Sequence, residues 1–163
     1  MPACWLAESY PHARVFGIEP AHDRVRAANR ALDGRGMVIQ GFAPDLPDSP
    51  TGADGAFMLD MMHYLSDKDL YRLLQGLHRA MKPGGVLIIR AVMVPTRRFN
   101  GWWWLERLKG KLGGPETWYR SSGQIQAALT QCGFGAVEEM PSGRHGELLW
   151  FKSRGTPSDA QDL

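Results

Sequence analysis

Leu77-His78-Arg79-Ala80-Met81-Lys82-Pro83-Gly84-Gly85-Val86-Leu87-Ile88-Ile89 decides the fold, because two different hydrophobic periods meet in it. Upstream, Leu70, Leu73, Leu74, Leu77 and Met81 recur at helical spacing and make one apolar stripe. Ser66 stands where an N-cap is needed, and Asp69 sits three residues on, where a capping-box acid would be. Pro83-Gly84-Gly85 is read as the end of that helix. Val86 to Ile89 is then a wholly apolar strand, the kind that lies in the middle of a parallel sheet.

The same alternation continues outward. Gly55 to Leu59, Met37 to Gln40 and Val15 to Ile18 are short apolar strand candidates. Ala21 to Leu32 carries Val25, Ala28 and Leu32 at helical spacing and is closed by Asp33-Gly34. Trp5 to Tyr10 reads as the last turns of a helix stopped by Pro11, and Gly41 to Gly52 as a loop. Further on, Ser122 to Gln131 is a helix. Ala136 to Glu139 and Leu148 to Phe151 are two strands joined through Gly143-Arg144-His145-Gly146. Alternating strands and helices predict a doubly wound, mostly parallel α/β sheet with a C-terminal antiparallel hairpin. Residues 1–152 are expected to form one domain and 153–163 a polar tail.

Bulk properties narrow the function classes. The 163 residues are 44% hydrophobic and 22% charged, with a formal net charge of +2 and an isoelectric point of about 8.7. That excess is too small, and too evenly spread, to argue for nucleic acid. Cys4 and Cys132 are far apart and read as reduced thiols of a cytoplasmic protein. No apolar run approaches the ~20 residues of a membrane span. The N-terminus has neither the basic region nor the apolar core of a signal peptide. His12, His22, His63, His78 and His145 do not cluster with acids or thiols at ligand spacing, so no metal site is expected.

An ordered set of motifs carries a family resemblance. It consists of Val15-Phe16-Gly17-Ile18-Glu19-Pro20, Gln40-Gly41-Phe42-Ala43 with Leu46-Pro47, Asp54 through Asp60 to His63-Tyr64-Leu65, the Leu77–Leu87 stretch, and Cys132-Gly133-Phe134. Together, over roughly residues 5 to 152, they resemble class I S-adenosylmethionine methyltransferases, which are Rossmann-like. Asp60-Met61-Met62-His63-Tyr64-Leu65, Arg90 and the tryptophan-rich insert are similar to the narrower group beside aryl-polyene and lipid biosynthetic enzymes.

The resemblance implies S-adenosylmethionine as cofactor and a small aromatic or lipid-like methyl acceptor. In a Rossmann sheet the acid that takes the ribose hydroxyls lies about 20 residues after a glycine-rich turn. With that acid at Glu19, the turn and the first strand would fall before Met1, and the expectation is a chain whose cofactor pocket is impaired. Glu19 and Pro20 would meet the ribose, Gly41, Phe42 and Ala43 the adenine, and Leu59 and Asp60 the methionyl end. Each has a structural alternative: a helix N-terminal acid for Glu19, a loop with a core ring for Phe42, and a helix cap for Asp60.

His63 is the candidate general base, since an imidazole titrates near neutrality; the alternative is a buried structural histidine. Arg90 ends an apolar strand and is a candidate for an anionic substrate or a surface salt bridge, with Tyr119 and Arg120 facing the same cleft. Trp102, Trp103 and Trp104, near Arg97, Arg98, Arg107, Lys109 and Lys111, are candidates for a substrate lid, an interface or a membrane-surface contact. Three functions therefore compete: a methyltransferase, a non-catalytic relative that completes its sheet by homodimerisation or binds a partner, and a membrane-surface module.

Overall fold

A computed structural model of the chain describes residues 2–46, 51–93, 116–142 and 148–157. The chain folds as two units, Met1–Pro50 and Thr51–Leu163. The first unit runs α1 (Pro2–Ser9), β1 (Val15–Glu19), α2 (His22–Leu32) and β2 (Gly36–Gln40). The second runs β3 (Ala53–Leu59), a 3-10 turn (Met62–Tyr64), α3 (Asp67–Ala80), β4 (Met81–Val92), α4 (Ser122–Gln131), β5 (Glu138–Ser142) and β6 (Leu148–Arg154). The tryptophan-rich insert with Trp102–Trp104, the turn containing His145, and Pro47 lie outside the described residues.

In the first unit β1 and β2 pair in parallel, from Val15↔Gly36 to Glu19↔Gln40. Ala7, Val25, Ala28, Leu32 and Val38 make the core between the helices and this pair. The crossover helix α2 stops where Asp33 and Gly34 adopt left-handed backbone, a helix end that glycine makes without strain. Asn29 pairs its side-chain amide with both backbone groups of Val38, donating to the carbonyl at 2.7 Å and accepting from the N–H at 2.7 Å. Two backbone groups of β2 are thereby satisfied.

In the second unit the strand order is β3-β4-β6-β5, parallel between β3 and β4 and antiparallel for the rest. This is the mixed α/β sheet with an antiparallel C-terminal hairpin that the pattern predicts. Buried on β4 are Leu87, Ile89 and Ala91 on one face, while Val86, Ile88 and Arg90 on the other are only half-buried. Helix α3 starts at Ser66, whose Oγ accepts from the Asp69 N–H and donates to the Asp69 carboxylate at 2.6 Å. Leu70, Leu73 and Leu74 of its stripe are buried. Helix α4 carries a full capping box between Ser121 and Gln124.

Several boundaries differ from the sequence reading, among them those of β4, β5 and β6. Helix α3 ends at Ala80, and β4 begins at Met81 rather than after Gly85. The reason is a bulge: Ala53 pairs with Met81 and Gly55 with Val86, and Gly84 takes the left-handed backbone between them (φ 76°). Strand β5 begins at Glu138, not Ala136, and runs to Ser142 as an edge strand that tolerates Pro141. Strand β6 continues past the expected boundary at residue 152. Ser153 is buried with its hydroxyl on the Gly135 carbonyl, and Phe134 bridges Gly155.

Leu74 is fully buried on the face of α3 that lies in the core. Leu74→Ala should lower stability by about 2–5 kcal/mol in urea unfolding. A loss under about 1 kcal/mol would mean that α3 is not packed as described.

Candidate active site

Parallel pairing puts the carboxyl ends of β3 and β4 at the same edge, with Leu59 opposite Arg90. Asp60 follows at once. Its backbone is left-handed (φ 54°), which aspartate tolerates better than most residues, and its N–H donates to the Arg90 carbonyl at 2.9 Å. The carboxylate then accepts from Arg90 Nε at 2.8 Å and from Nη2, a two-pronged contact. The hydrogen bond to Asp60 raises the guanidinium above its ordinary pKa. Arg90 also lies over the Trp150 ring, 5.3 Å from its centre. Both side chains are a third exposed or more, so solvent screens the pair and its contribution is mainly orientation. Arg90 is thus a cation already matched by Asp60, and Asp60 is not a helix cap.

His63 sits on the next turn. Met62 beside it is buried and fastens the turn to the core. The imidazole lies 4.1 Å from the Tyr64 ring centre and stacks on Tyr119 at 5.6 Å with the planes within 6°. The His63 carbonyl accepts the Trp118 N–H at 2.8 Å. Its Nδ1 is buried with no hydrogen-bond partner among the described residues. Burial lowers the His63 pKa, and the Asp60 charge opposes this less strongly. The ring is therefore favoured in its neutral form, which can accept a proton.

Arg120 departs from the sequence reading. It does not face a cleft: it is 6% exposed and its guanidinium is spent on backbone. Nη1 donates to the Met62 carbonyl (3.1 Å) and the Trp118 carbonyl (3.2 Å), Nη2 to the Leu65 carbonyl (2.7 Å), and Nε to Asp67 Oδ1 (2.9 Å). Its backbone bridges Met93, where β4 ends. No local pattern announces such a role, because Met62, Leu65 and Asp67 are more than 50 residues away along the chain.

The remaining predicted residues lie in the first unit. Glu19 ends β1, with Oε1 accepting the Ala21 N–H at 3.1 Å and lying 3.8 Å from Arg24. The Gly41 N–H donates to the Glu19 carbonyl at 3.3 Å, and Gln40 donates to the Pro20 carbonyl at 3.1 Å, so Glu19, Pro20 and Gly41 adjoin. Phe42 is 68% exposed and is not the core ring that was its alternative. Ala43 precedes a cis proline. Leu59, Asp60, His63, Arg90 and Tyr119 form the other group, in the second unit. A cavity of about 250 Å³ lies at the opposite end of β4, lined by His78, Arg79, Met81, Lys82, Pro83 and Thr156, and holds none of these residues. Among the described residues there is no cluster of His, Cys, Asp and Glu fit for a metal ion. Among them, too, no helix is long and apolar enough to cross a membrane.

Comparison with known proteins shows the family. A family model described as a methyltransferase domain matches residues 2–85, about half of the chain. The chain belongs to the methyltransferase-domain family. An uncharacterized methyltransferase of Synechocystis is 28% identical over 138 residues, which cover 83% of this chain and 62% of that protein. The chain thus spans less than two thirds of this relative. Among solved structures, a complex of a methyltransferase activator with its methyltransferase from Haloferax volcanii gives a TM-score of 0.76 at 14% identity, covering 94% of this chain and 76% of that one. An O-methyltransferase family protein from Burkholderia thailandensis gives 0.73 at 17%, covering 96% and 48%. Human N-acetylserotonin methyltransferase, solved with S-adenosylmethionine, gives 0.66 at 20%, covering 92% and 43%. At these identities the likeness is one of fold.

The lowered His63 pKa has a sign that can be checked. The unfolded chain binds the proton more readily, so stability is complete above about pH 6.5 and falls as the pH drops towards the folded-state value. Urea midpoints should therefore rise from pH 5 to 7, and His63→Gln should flatten part of that rise. An unchanged slope in His63→Gln would contradict a buried neutral ring.

Proposed function

We propose that this methyltransferase moves a methyl group from S-adenosylmethionine to a hydroxyl of a small aromatic acceptor, with His63 as the general base. The observation that carries the reading is the buried His63 Nδ1, unpartnered among the described residues, on a ring whose neutral form burial favours, set against Tyr64 and Tyr119 and beside a charge-matched Asp60–Arg90 pair. A neutral imidazole accepts a proton, and flat aromatic faces receive a flat acceptor. Among the described residues, the Arg90 cation is already matched by the Asp60 carboxylate, which favours an uncharged acceptor over an anion.

The residues of the first unit suit the cofactor. A carboxylate has about four lone-pair sites, so the single N–H on Glu19 Oε1 fixes the group and leaves capacity for ribose hydroxyls. Phe42 offers an exposed ring for packing against adenine, beside the Gly41 and Ala43 backbone. Leu59 and Asp60 would border the methionyl end, with Asp60 oriented by Arg90. When bound, the cofactor supplies an electrophilic methyl carbon on a sulfonium sulfur. The chain's own part is to hold the acceptor oxygen in line with that carbon and to receive its proton on His63. The cofactor's sulfonium sulfur would serve as the leaving group, and His63 would hold the acceptor's proton and pass it to water.

The test is transfer of labelled methyl from S-adenosylmethionine to a panel of phenols, aromatic amines and aromatic carboxylates. Phenols should be methylated, and His63→Gln should lower kcat by 10²–10⁴-fold with KM little changed. Equal turnover in His63→Gln would contradict the base, and preference for carboxylates would contradict the acceptor class.

A further inference from the structure

We propose that Arg120 is the positioning residue of the acceptor site, a buried clasp that sets the His63 ring against Tyr119. The proposal rests on the reading of His63 given above, but its geometry stands apart from any substrate. The two rings come from separate segments: His63 from the turn after β3, Tyr119 from the stretch before α4. Nothing in the local sequence holds these segments together. Arg120 does so directly.

Its guanidinium takes the Met62 and Leu65 carbonyls, which flank His63 and Tyr64 on either side, and the Trp118 carbonyl, one residue before Tyr119. The Trp118 N–H adds a bond to the His63 carbonyl itself. The Tyr119 ring is thus delivered by a backbone fastened on both sides, and its plane falls within 6° of the imidazole. A fixed planar fork with five N–H donors suits this task, because carbonyls on different segments must be met at set angles. Asp67 Oδ1 receives Nε from the outer side, where its carboxylate is 79% exposed. The carbonyl contacts, not this ion pair, face the interior.

Lysine keeps the charge but is one atom shorter and ends in a single rotating ammonium, and cannot reproduce the fork. Arg120→Lys should therefore keep the fold while loosening the stack, and Arg120→Met should loosen it further. Asp67→Asn, which leaves the carbonyl contacts in place, should change little.

The experiment follows the His63 ring protons by NMR across pH in the full chain, assigned by their absence in His63→Gln, with nuclear Overhauser contacts to Tyr119. In the parent chain His63 should titrate below 6.5 and contact Tyr119. In Arg120→Lys the midpoint should move towards the ordinary imidazole value and the contact should weaken several-fold. Asp67→Asn should match the parent. A folded Arg120→Lys with the parent midpoint and full Tyr119 contact would overturn the proposal, and Arg120→Lys decides the matter if Arg120→Met does not fold. Methyl transfer separates the two claims: full turnover in His63→Gln, with the ring displaced in Arg120→Lys, would remove the base and leave the clasp.

Discussion

The parallel pairing of β3 with β4 is the constraint on which the site depends. Parallel strands end at the same edge, so whatever follows β3 meets whatever ends β4. Here that brings the Asp60 N–H to the Arg90 carbonyl and the Asp60 carboxylate to the Arg90 guanidinium. The left-handed backbone at Asp60 then turns the chain out of the sheet and into the 3-10 turn carrying His63. A one-residue slip of this register would send Arg90 to the other face and uncouple it from Asp60. The bulge at Pro83-Gly84-Gly85 absorbs the length mismatch at the opposite end, so that the register from Gly55↔Val86 to Leu59↔Arg90 is continuous.

The polar groups near the site divide by environment into two roles. The Asp60–Arg90 pair is partly exposed, so it adds little to stability and mainly orients the two side chains. Arg120 is buried, and its charge is compensated by carbonyl dipoles and Asp67. Such a group is tolerated only when it is well satisfied. Removing it would take the guanidinium from the Leu65 carbonyl, at about 1–3 kcal/mol for a buried acceptor left unpaired, while the Met62 carbonyl keeps the Leu65 N–H. His63 falls between these cases: burial favours its neutral form, and one nitrogen has no partner among the described residues. An orphaned buried nitrogen is a standing free-energy cost that a structural histidine would be expected to avoid.

What the sequence made legible follows from the range of the interactions. Helix α4 begins at Ser122 as read, because the Ser121–Gln124 capping box is a local signal. The stripe of α3 and the apolar run of β4 were equally local. The start of β4 was not: Met81 continues the helical period, and only its pairing with Ala53, distant in sequence, makes it strand. Strand β5 shifted for the same reason, being defined by its partner β6. Within the site, the types and positions of Asp60, His63, Arg90 and Tyr119 stand out in the sequence, while their pairing does not. Asp60 and Arg90 lie 30 residues apart, and the contacts of Arg120 to Met62, Leu65 and Asp67 span more than 50. An arginine beside Ser121 and Ser122 has the look of a surface residue, and only the fold buries it.

The account as a whole depends on a methyltransferase fold that takes S-adenosylmethionine through Glu19. The most direct measurement is calorimetric titration of the 163-residue chain with S-adenosylhomocysteine, beside Glu19→Ala. The account predicts saturable binding with 1:1 stoichiometry in the parent chain, weakened at least tenfold in the variant, with both chains melting alike. A folded parent chain that takes up no ligand, or a variant that binds as well as the parent, would contradict it.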